Sequence, residues 1–252
     1  MVSSQSVMYG ANYGVTGRLN VMVSAPYVWT KSTAGTLHSS RGVQDISLFV
    51  KWKPVLYSSG KNKISLIVVG GFSTPVTNYQ IDYLPLTLGL GSTNLTSRAM
   101  AEFQHRRFTI SGSATYIWRS NVKIDRTSYY DTQMHLTNDV KMPDASQYQL
   151  RTGYRGRYLL AEALVTNWTT LGGFDITRNN MPFPSNRMNM TTMGASIKYT
   201  LKQATHLSLL GGVNYTIAGR NFGQANGFNA GVLYAFYLNK TSEMNAKKLK
   251  TK

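Results

Sequence analysis

Hydrophobic and polar residues alternate one by one along much of this chain. In the segment 18–29, Leu19, Val21 and Val23 are separated by single residues, and the segment 107–119 repeats the pattern. Alternation with a period of two is typical of β-strands whose two faces meet different surroundings. We therefore predict an all-β protein.

The alternation predicts eleven strands, most of them longer than a strand of a soluble protein. Strands of globular proteins usually have about 5–6 residues, whereas a tilted strand that crosses a membrane needs about 9–11. The predicted lengths therefore favour membrane-spanning strands. The strands cover residues 3–13, 18–29, 42–54, 62–74, 95–105, 107–119, 146–155, 157–168, 187–202, 206–218 and 227–239.

Short and long connections alternate between these strands. Short turns fall near residues 13–17, 57–61, 105–106, 156 and 203–205, and long loops near 30–41, 75–94, 120–145, 169–186 and 219–226. This rhythm is typical of an up-and-down antiparallel transmembrane β-barrel with tight periplasmic turns and long outer loops. The first predicted strand would run inward from the outer side. We therefore expect a strand before Met1, which gives a parent barrel of about twelve strands.

The two faces of the predicted strands differ in charge. One face, with Leu19, Val21 and Ile46, is nearly free of charge, as a lipid-facing surface must be, because a charge there costs about 2–4 kcal/mol at the bilayer midplane. Two interpretations of the opposite face stay open: its charges form an ion-pair network that fills the lumen, or they line a conduit that favours anionic or aromatic solutes. The residues that we predict to line the lumen are Asp45, Lys51, Arg98, Glu102, Arg119, Arg151, Glu162 and Lys198.

Aromatic residues cluster near the predicted strand ends. Rings with a polar edge are favoured at the interface between membrane and water. Burial in an ordinary core is an equally open interpretation for any single ring, but as a set they favour an aromatic girdle. The predicted girdle residues are Tyr27, Trp29, Trp52, Tyr116, Trp118 and Trp168.

The composition is consistent with an exported barrel. Charged residues make up 15% of the chain, against roughly 25% in typical soluble domains. The mean hydropathy of −0.23 fits a barrel because half of each strand faces a polar lumen. Cysteine is absent, which fits a protein without a disulfide framework. The first residues contain no apolar signal segment, so we expect that a targeting segment has been removed.

The net charge of +17 has two open interpretations, a solvated basic surface near the rims and the tail, or contact with anions. Lipids of the outer membrane are the partners that we expect, through their phosphates. Nucleic acid is not an expected partner, because the basic residues are scattered along the strands and no nucleic-acid-binding motif is present. We assign residues 1–239 to a single barrel and residues 240–252 to a basic, disordered tail.

Few residues point to catalysis. The four histidines lack metal-ligand spacing and no phosphate-binding or dinucleotide-binding motif is present, so we predict no metal, no cofactor and no enzymatic activity. The one pattern that suggests a lipid hydrolase is His206 with Ser208, which share a strand face as a base and a nucleophile would. These two residues lie beside a predicted periplasmic turn, far from the outer leaflet, so the hydrolase is the least favoured function.

Three segments resemble a known family of outer-membrane barrels. Residues 13–20 read Tyr-Gly-Val-Thr-Gly-Arg-Leu-Asn, residues 42–46 read Gly-Val-Gln-Asp-Ile, and residues 84–92 read Leu-Pro-Leu-Thr-Leu-Gly-Leu-Gly-Ser. These turns and loops are similar to those of the family named for the MetA pathway of phenol degradation. The sequence departs from the family pattern at Gly17, Gln44 and Leu90, where Asp, Gly and Thr are usual.

The resemblance covers residues 9–120 by motif. It implies an outer-membrane protein and a channel for small hydrophobic or aromatic compounds. Our leading hypothesis is therefore passive, porin-like transport across a bacterial outer membrane of the Gram-negative type, with selectivity set by the lumen residues and the loops 75–94 and 120–145. The alternative is a structural or adhesive barrel with a closed lumen and loops that bind a surface partner.

Overall fold

The computed structural model describes residues 2–33, 39–82, 84–178 and 182–236. This part of the chain forms eleven long strands, the number predicted from the alternation. The predicted strand 227–239 ends beyond the described residues, and the predicted tail 240–252 lies wholly outside them. The strands are β1 (Val2–Gly14), β2 (Leu19–Ser32), β3 (Asp45–Ser59), β4 (Asn62–Pro75), β5 (Asn94–His105), β6 (Phe108–Arg119), β7 (Ala145–Arg155), β8 (Leu159–Thr170), β9 (Asn189–Thr200), β10 (Leu207–Arg220) and β11 (Asn226–Tyr234).

Each long strand pairs antiparallel with the strands before and after it in the chain. One curled sheet results, running in order from β1 to β11 without a crossover. The predicted up-and-down antiparallel barrel fold is confirmed. Within the described residues, β1 and β11 are the two ends of this sheet, and the twelfth strand of the parent barrel stays a prediction.

The faces of the central strands follow the predicted alternation, whereas β1, at one end of the sheet, is exposed along its whole length. Along β5, exposed and partly buried residues alternate over the whole strand, with Leu95 and Phe103 exposed and Arg98 and Glu102 partly buried. The exposed face is apolar, as a surface in contact with lipid acyl chains must be. The partly buried face is polar and points inward.

Two β-bulges interrupt the sheet register. One shifts the pairing of β3 with β4 between Trp52 and Val55, and the other shifts β9 against β10 between Thr191 and Thr192. The first bulge contains Pro54, which has no amide hydrogen for the ladder and is tolerated where pairing is interrupted.

The long loops pack into a layer at one rim of the barrel, which we call the loop layer (residues 76–82, 84–93, 120–144, 171–178 and 182–188). Its apolar core consists of Ile81, Val122, Ile124, Val140 and Met142, all buried. Val122–Lys123 pairs with Asp139–Val140, and Tyr129–Tyr130 pairs with Met134–His135, so the longest loop folds as a twisted ribbon. The Thr30 hydroxyl donates to the Leu86 carbonyl oxygen at 2.7 Å and ties the layer to β2.

No helix among the described residues is long and apolar enough to cross a membrane.

Candidate lumen and rim sites

Gln149 on β7 holds two arginines of the inward face. Arg98 on β5 donates from Nη2 to Gln149 Oε1 and to Ser113 Oγ, each at 2.8 Å. Arg151 donates from Nε to the same Gln149 oxygen at 2.8 Å, and the Gln149 amide nitrogen donates to Thr166 Oγ1 at 2.9 Å. Four adjacent strands, β5 to β8, thus build one polar wall in which two cations share a neutral acceptor.

Two carboxylates complete this wall. Arg155 donates to both oxygens of Glu102 at 2.8 and 2.9 Å, the bidentate geometry that suits a guanidinium and a carboxylate. Glu162 lies between two arginines, 3.6 Å from Arg151 Nη1 and 4.0 Å from Arg155 Nη2. Gly153 permits the close approach of the β7 backbone to Glu162 on β8, because a Cβ at residue 153 would lie 2.7 Å from the Glu162 Cα.

The wall carries more positive than negative charge. Three guanidiniums, those of Arg98, Arg151 and Arg155, face the carboxylates of Glu102 and Glu162. Among the described residues, no carboxylate lies within 4.0 Å of Arg98, and its Nε is buried without a hydrogen-bond partner. We call these five side chains, with Gln149, the arginine wall.

The cations of the arginine wall are more accessible than its anions. The side chains of Arg151 and Arg155 are 37% and 35% exposed, whereas those of Glu162 and Glu102 are 10% and 16% exposed. The carboxylates therefore lie against the barrel wall, and the guanidiniums border open space inside it. A solute in the lumen would meet positive charge first.

The remaining predicted lumen residues face inward but do not join the arginine wall. Lys51 lies on β3 opposite Asn20 and Val69. Lys198 lies on β9 opposite Leu160 and Leu210. Both side chains lie at inward positions of their strands, and Lys51 lies near enough to Glu102 and Arg155 to interact with them electrostatically.

Asp45 and Arg119 lie at the rim that carries the long loops. Asp45 begins β3 and accepts a hydrogen bond from the Tyr79 hydroxyl at 2.8 Å, so it anchors the loop layer. Burial and this hydrogen bond raise the pKa of Tyr79 above its usual value, which keeps the phenol protonated. Arg119 ends β6, and its guanidinium lies 5.2 Å from the centre of the Trp168 ring, a cation–π distance.

A cavity of about 750 Å³ opens at this rim between the strand ends and the loop layer. Arg119, Lys141 and Asp144 line it on one side, and Tyr129 and Phe174 contribute aromatic rings. Its presence was not predicted, because it depends on how two loops that are distant in sequence pack together. We call it the rim cavity.

Five of the six predicted girdle residues lie at outward positions of their strands, and their place at a membrane interface stays a prediction. Tyr27, Trp52 and Trp118 have exposed rings on the outward face, and Trp29 and Tyr116 lie at outward positions with partial burial. Trp168 differs from the prediction: it pairs with Gln147 on β7 and turns to the inward face, where it lies beside Arg119. Its nearness to a strand end suggested an interfacial ring, but the strand parity puts Trp168 on the same side as Glu162, Leu164 and Thr166.

Arg155 was missing from the predicted lumen residues. It lies on β7 at even spacing from Gln149 and Arg151, so strand parity alone could have assigned it to the inward face. Its position at the strand end, next to the turn at Gly156, obscured this assignment. The structure makes it the principal partner of Glu102.

The two residues that suggested a hydrolase have other contacts. Ser208 is buried and its hydroxyl lies 2.9 Å from the Thr200 hydroxyl. His206 Nδ1 lies 3.3 Å from the Ala235 carbonyl oxygen. The described residues include no cluster of three or more side chains placed to bind a metal ion.

Comparison with known proteins identifies the fold. A family model described as "Putative MetA-pathway of phenol degradation" matches residues 2–231. The COG4313 outer membrane channel from Pseudomonas putida F1 has 16% sequence identity and a TM-score of 0.68, over 92% of this chain and 83% of that chain. The NanC porin has 9% identity and a TM-score of 0.56, over 93% of this chain and 96% of the porin. At such identities the likeness shows a shared fold. No curated protein matches this chain.

Proposed function

Because the chain belongs to the MetA-pathway phenol-degradation family, the family that its turn motifs resemble, we propose that it forms a passive channel for small solutes in a bacterial outer membrane. The proposal is supported by a fold shared with an outer membrane channel and a porin. It is also supported by an outward face of exposed apolar side chains, which a bilayer would cover.

The accessible cations of the arginine wall carry the proposal. In a lumen filled by its own side chains, Arg151 and Arg155 would be buried in ion pairs. Instead both keep more than a third of their side-chain surface exposed while holding their carboxylate partners. Open space next to charge is what a hydrated conduit requires, and excess positive charge on its wall favours anions.

The loop layer supports a second candidate, a structural barrel with a closed outer mouth. Its buried apolar core, which includes Val140, holds these loops in one fixed arrangement. A rigid layer over the rim could either narrow the entrance or close it. Conductance separates these two outcomes.

The class of solute is proposed on the lumen charge. Small anions match the arginine wall, and hydrophobic or aromatic anions match both this wall and the family resemblance. Passive flow needs no bound cofactor, because the gradient of the solute supplies the free energy.

The first test is the conductance of the full chain refolded in planar bilayers. We expect discrete current steps and a reversal potential, under a salt gradient, that shows anion preference. Arg98→Gln should weaken this preference: two unit charges about 8 Å apart in water interact by about 0.5 kcal/mol, which changes anion entry by roughly twofold.

Arg18→Gln is the matched control for this measurement. Arg18 is exposed in the short turn between β1 and β2, so its loss removes the same charge away from the arginine wall. Its reversal potential should equal that of the unchanged protein. A folded barrel that never conducts would overturn the channel and favour the closed structural barrel.

A further inference from the structure

We propose that the rim cavity is a binding site for small organic anions that join a carboxylate to a flat apolar ring. This site would be the entry site of the proposed channel. Its role in transport rests on the proposed channel function, whereas binding itself does not. The cavity, of about 750 Å³, lies within the range of roughly 300–1,000 Å³ found for small-molecule sites.

Arg119 is a cation of this cavity without an acceptor. Among the described residues, the Arg119 guanidinium forms no ion pair and donates no hydrogen bond, and its Nε is buried and unpartnered. The guanidinium lies over the face of the Trp168 ring, 5.2 Å from the ring centre. Buried donors without acceptors are costly, so a guanidinium held in this way favours an acceptor supplied from outside the chain.

The carboxylates of the cavity do not fill that role, because other donors hold them. Asp144 accepts from the Tyr116 hydroxyl at 2.9 Å and from the Arg119 backbone amide at 3.0 Å. Asp131 accepts from the backbone amides of Thr132 and Gln133 and lies 3.1 Å from His135 Nε2. Burial acts against ionisation of Asp131, but these hydrogen bonds outweigh it and lower its pKa, so its charge stays committed to its own loop.

Lys141 adds a second cation on the lining. It is exposed, and within the described part of the chain its ammonium group has no ion pair. Among the described residues, the cavity therefore presents two cations without a hydrogen-bonded or ion-paired partner and two carboxylates that other donors hold, and Asp144 acts on the Arg119 guanidinium only through its electrostatic field. This balance favours an anionic ligand over a neutral or cationic one.

Aromatic and apolar side chains, among them Tyr129, Phe174 and Leu171, share the rest of the lining with polar ones such as Asn121, Thr132 and Ser185. The Tyr129 ring stacks on His135, with centroids 4.6 Å apart and planes 15° apart, so the ring is held in one orientation. It also stacks on Phe183 at 5.4 Å, and Phe183 contacts Phe174 at 6.1 Å. Because His135 and Phe183 stack on Tyr129, its ring edge rather than its face is left for a ligand, and edge contacts beside a cation also match a flat apolar body that carries a carboxylate.

Benzoate is the probe for this class of ligand. Acetate is the comparison probe that lacks the ring, and benzyl alcohol is the one that lacks the charge. Equilibrium dialysis would measure saturable binding to the full chain, refolded in detergent, after subtraction of protein-free micelles. We expect benzoate to bind more tightly than either comparison probe. Arg119→Gln should weaken benzoate binding by about tenfold or more, since a charge-assisted hydrogen bond is lost.

Two further variants separate a local effect from a loss of folding. Lys141→Gln changes only an exposed loop residue and should also weaken benzoate binding. Lys123→Gln removes the same charge from the same loop, but Lys123 is exposed and does not line the cavity, so its affinity should stay unchanged. Heat-modifiable migration on a gel would show that each variant is folded.

The outcomes distinguish this site from the channel. Benzoate binding that depends on Arg119, in a barrel that does not conduct, would support the site and overturn the channel. Conductance without saturable benzoate binding would overturn the site alone. Equal affinity for acetate and benzoate, or equal weakening by Lys123→Gln, would also overturn the site, because ring contact or local charge would then have no part in binding.

Discussion

The Arg155 guanidinium holds both oxygens of Glu102, and this pair contributes one cation and one anion to the inward face. Arg155 remains 35% exposed in this contact while Glu102 is 16% exposed. The carboxylate thus partly neutralises a cation that borders the lumen. Because the pair is accessible to solvent, we expect its main effect on solute entry rather than on folding stability.

Opposite changes in ion preference are expected when the two partners are neutralised one at a time. Glu102→Gln removes the counter-charge and should strengthen the preference for anions, whereas Arg155→Gln leaves Glu102 unpaired and should weaken it. Reversal potentials under a fixed salt gradient would measure both. A shift in the same direction for the two variants would mean that the pair acts by shaping the lumen rather than by its charge.

Residue-level detail is where sequence reasoning was least complete. The alternation predicted one shared face for Arg98, Arg151 and Glu162, yet it gave no means to see that Gln149, a neutral residue, would hold two of the arginines. Such contacts join strands whose relative register depends on turn geometry and bulges. The register depends on the assembled sheet, so it cannot be predicted from one segment of the sequence alone.

The strands were predicted well because one physical rule acts on all of them. Every strand must present apolar side chains to lipid and polar ones to the lumen, so the pattern repeats eleven times and errors at single positions average out. Val213 and Asn214 on β10 show the rule at neighbouring positions: the first pairs with Ala195 and Phe228 on the outward face, the second with Gly194 and Gly227 on the inward face.

A single lysine placed at each of these neighbours should have different effects on stability. Val213→Lys puts a charge against lipid near the middle of β10 and should lower the free energy of unfolding by about 2–4 kcal/mol. Asn214→Lys points the same side chain into the lumen and should be tolerated. Denaturant titration of the folded barrel in lipid vesicles would compare them, and equal destabilisation would contradict the assignment of the two faces.

The loop layer obeys no such repeating rule. Leu86 and Val140 are among the most buried side chains of the described residues, yet both lie in segments without alternation. Val140 packs in a core whose members come from loops far apart in sequence. Loop packing depends on shape complementarity between segments that the barrel brings together. The rim cavity follows from that packing, which explains why residues such as Phe174 could not be predicted to line it.

The molecule as a whole combines an apolar outer belt with a cationic interior. The chain carries a formal charge of +17, and lipid exposure excludes most of that charge from the outward face of the strands. Arg98, Arg151, Lys51 and Lys198 direct part of it into the lumen, at positions spread over several strands. A potential that arises from several separated charges extends through the lumen rather than acting at one point.

Salt should therefore reduce the anion preference of the whole channel. Charges are screened over about 10 Å at 0.1 M salt and about 3 Å at 1 M, so a potential built from separated charges fades as the salt rises. We expect the anion-to-cation permeability ratio to fall towards one as the mean salt concentration is raised at a constant gradient. Arg98→Gln should begin from a lower ratio and show a shallower decline. A permeability ratio that does not change with salt would mean that direct hydrogen bonds at a single site select the anions. Arg98, whose Nε is buried without a partner, would then be the first residue to examine for that site.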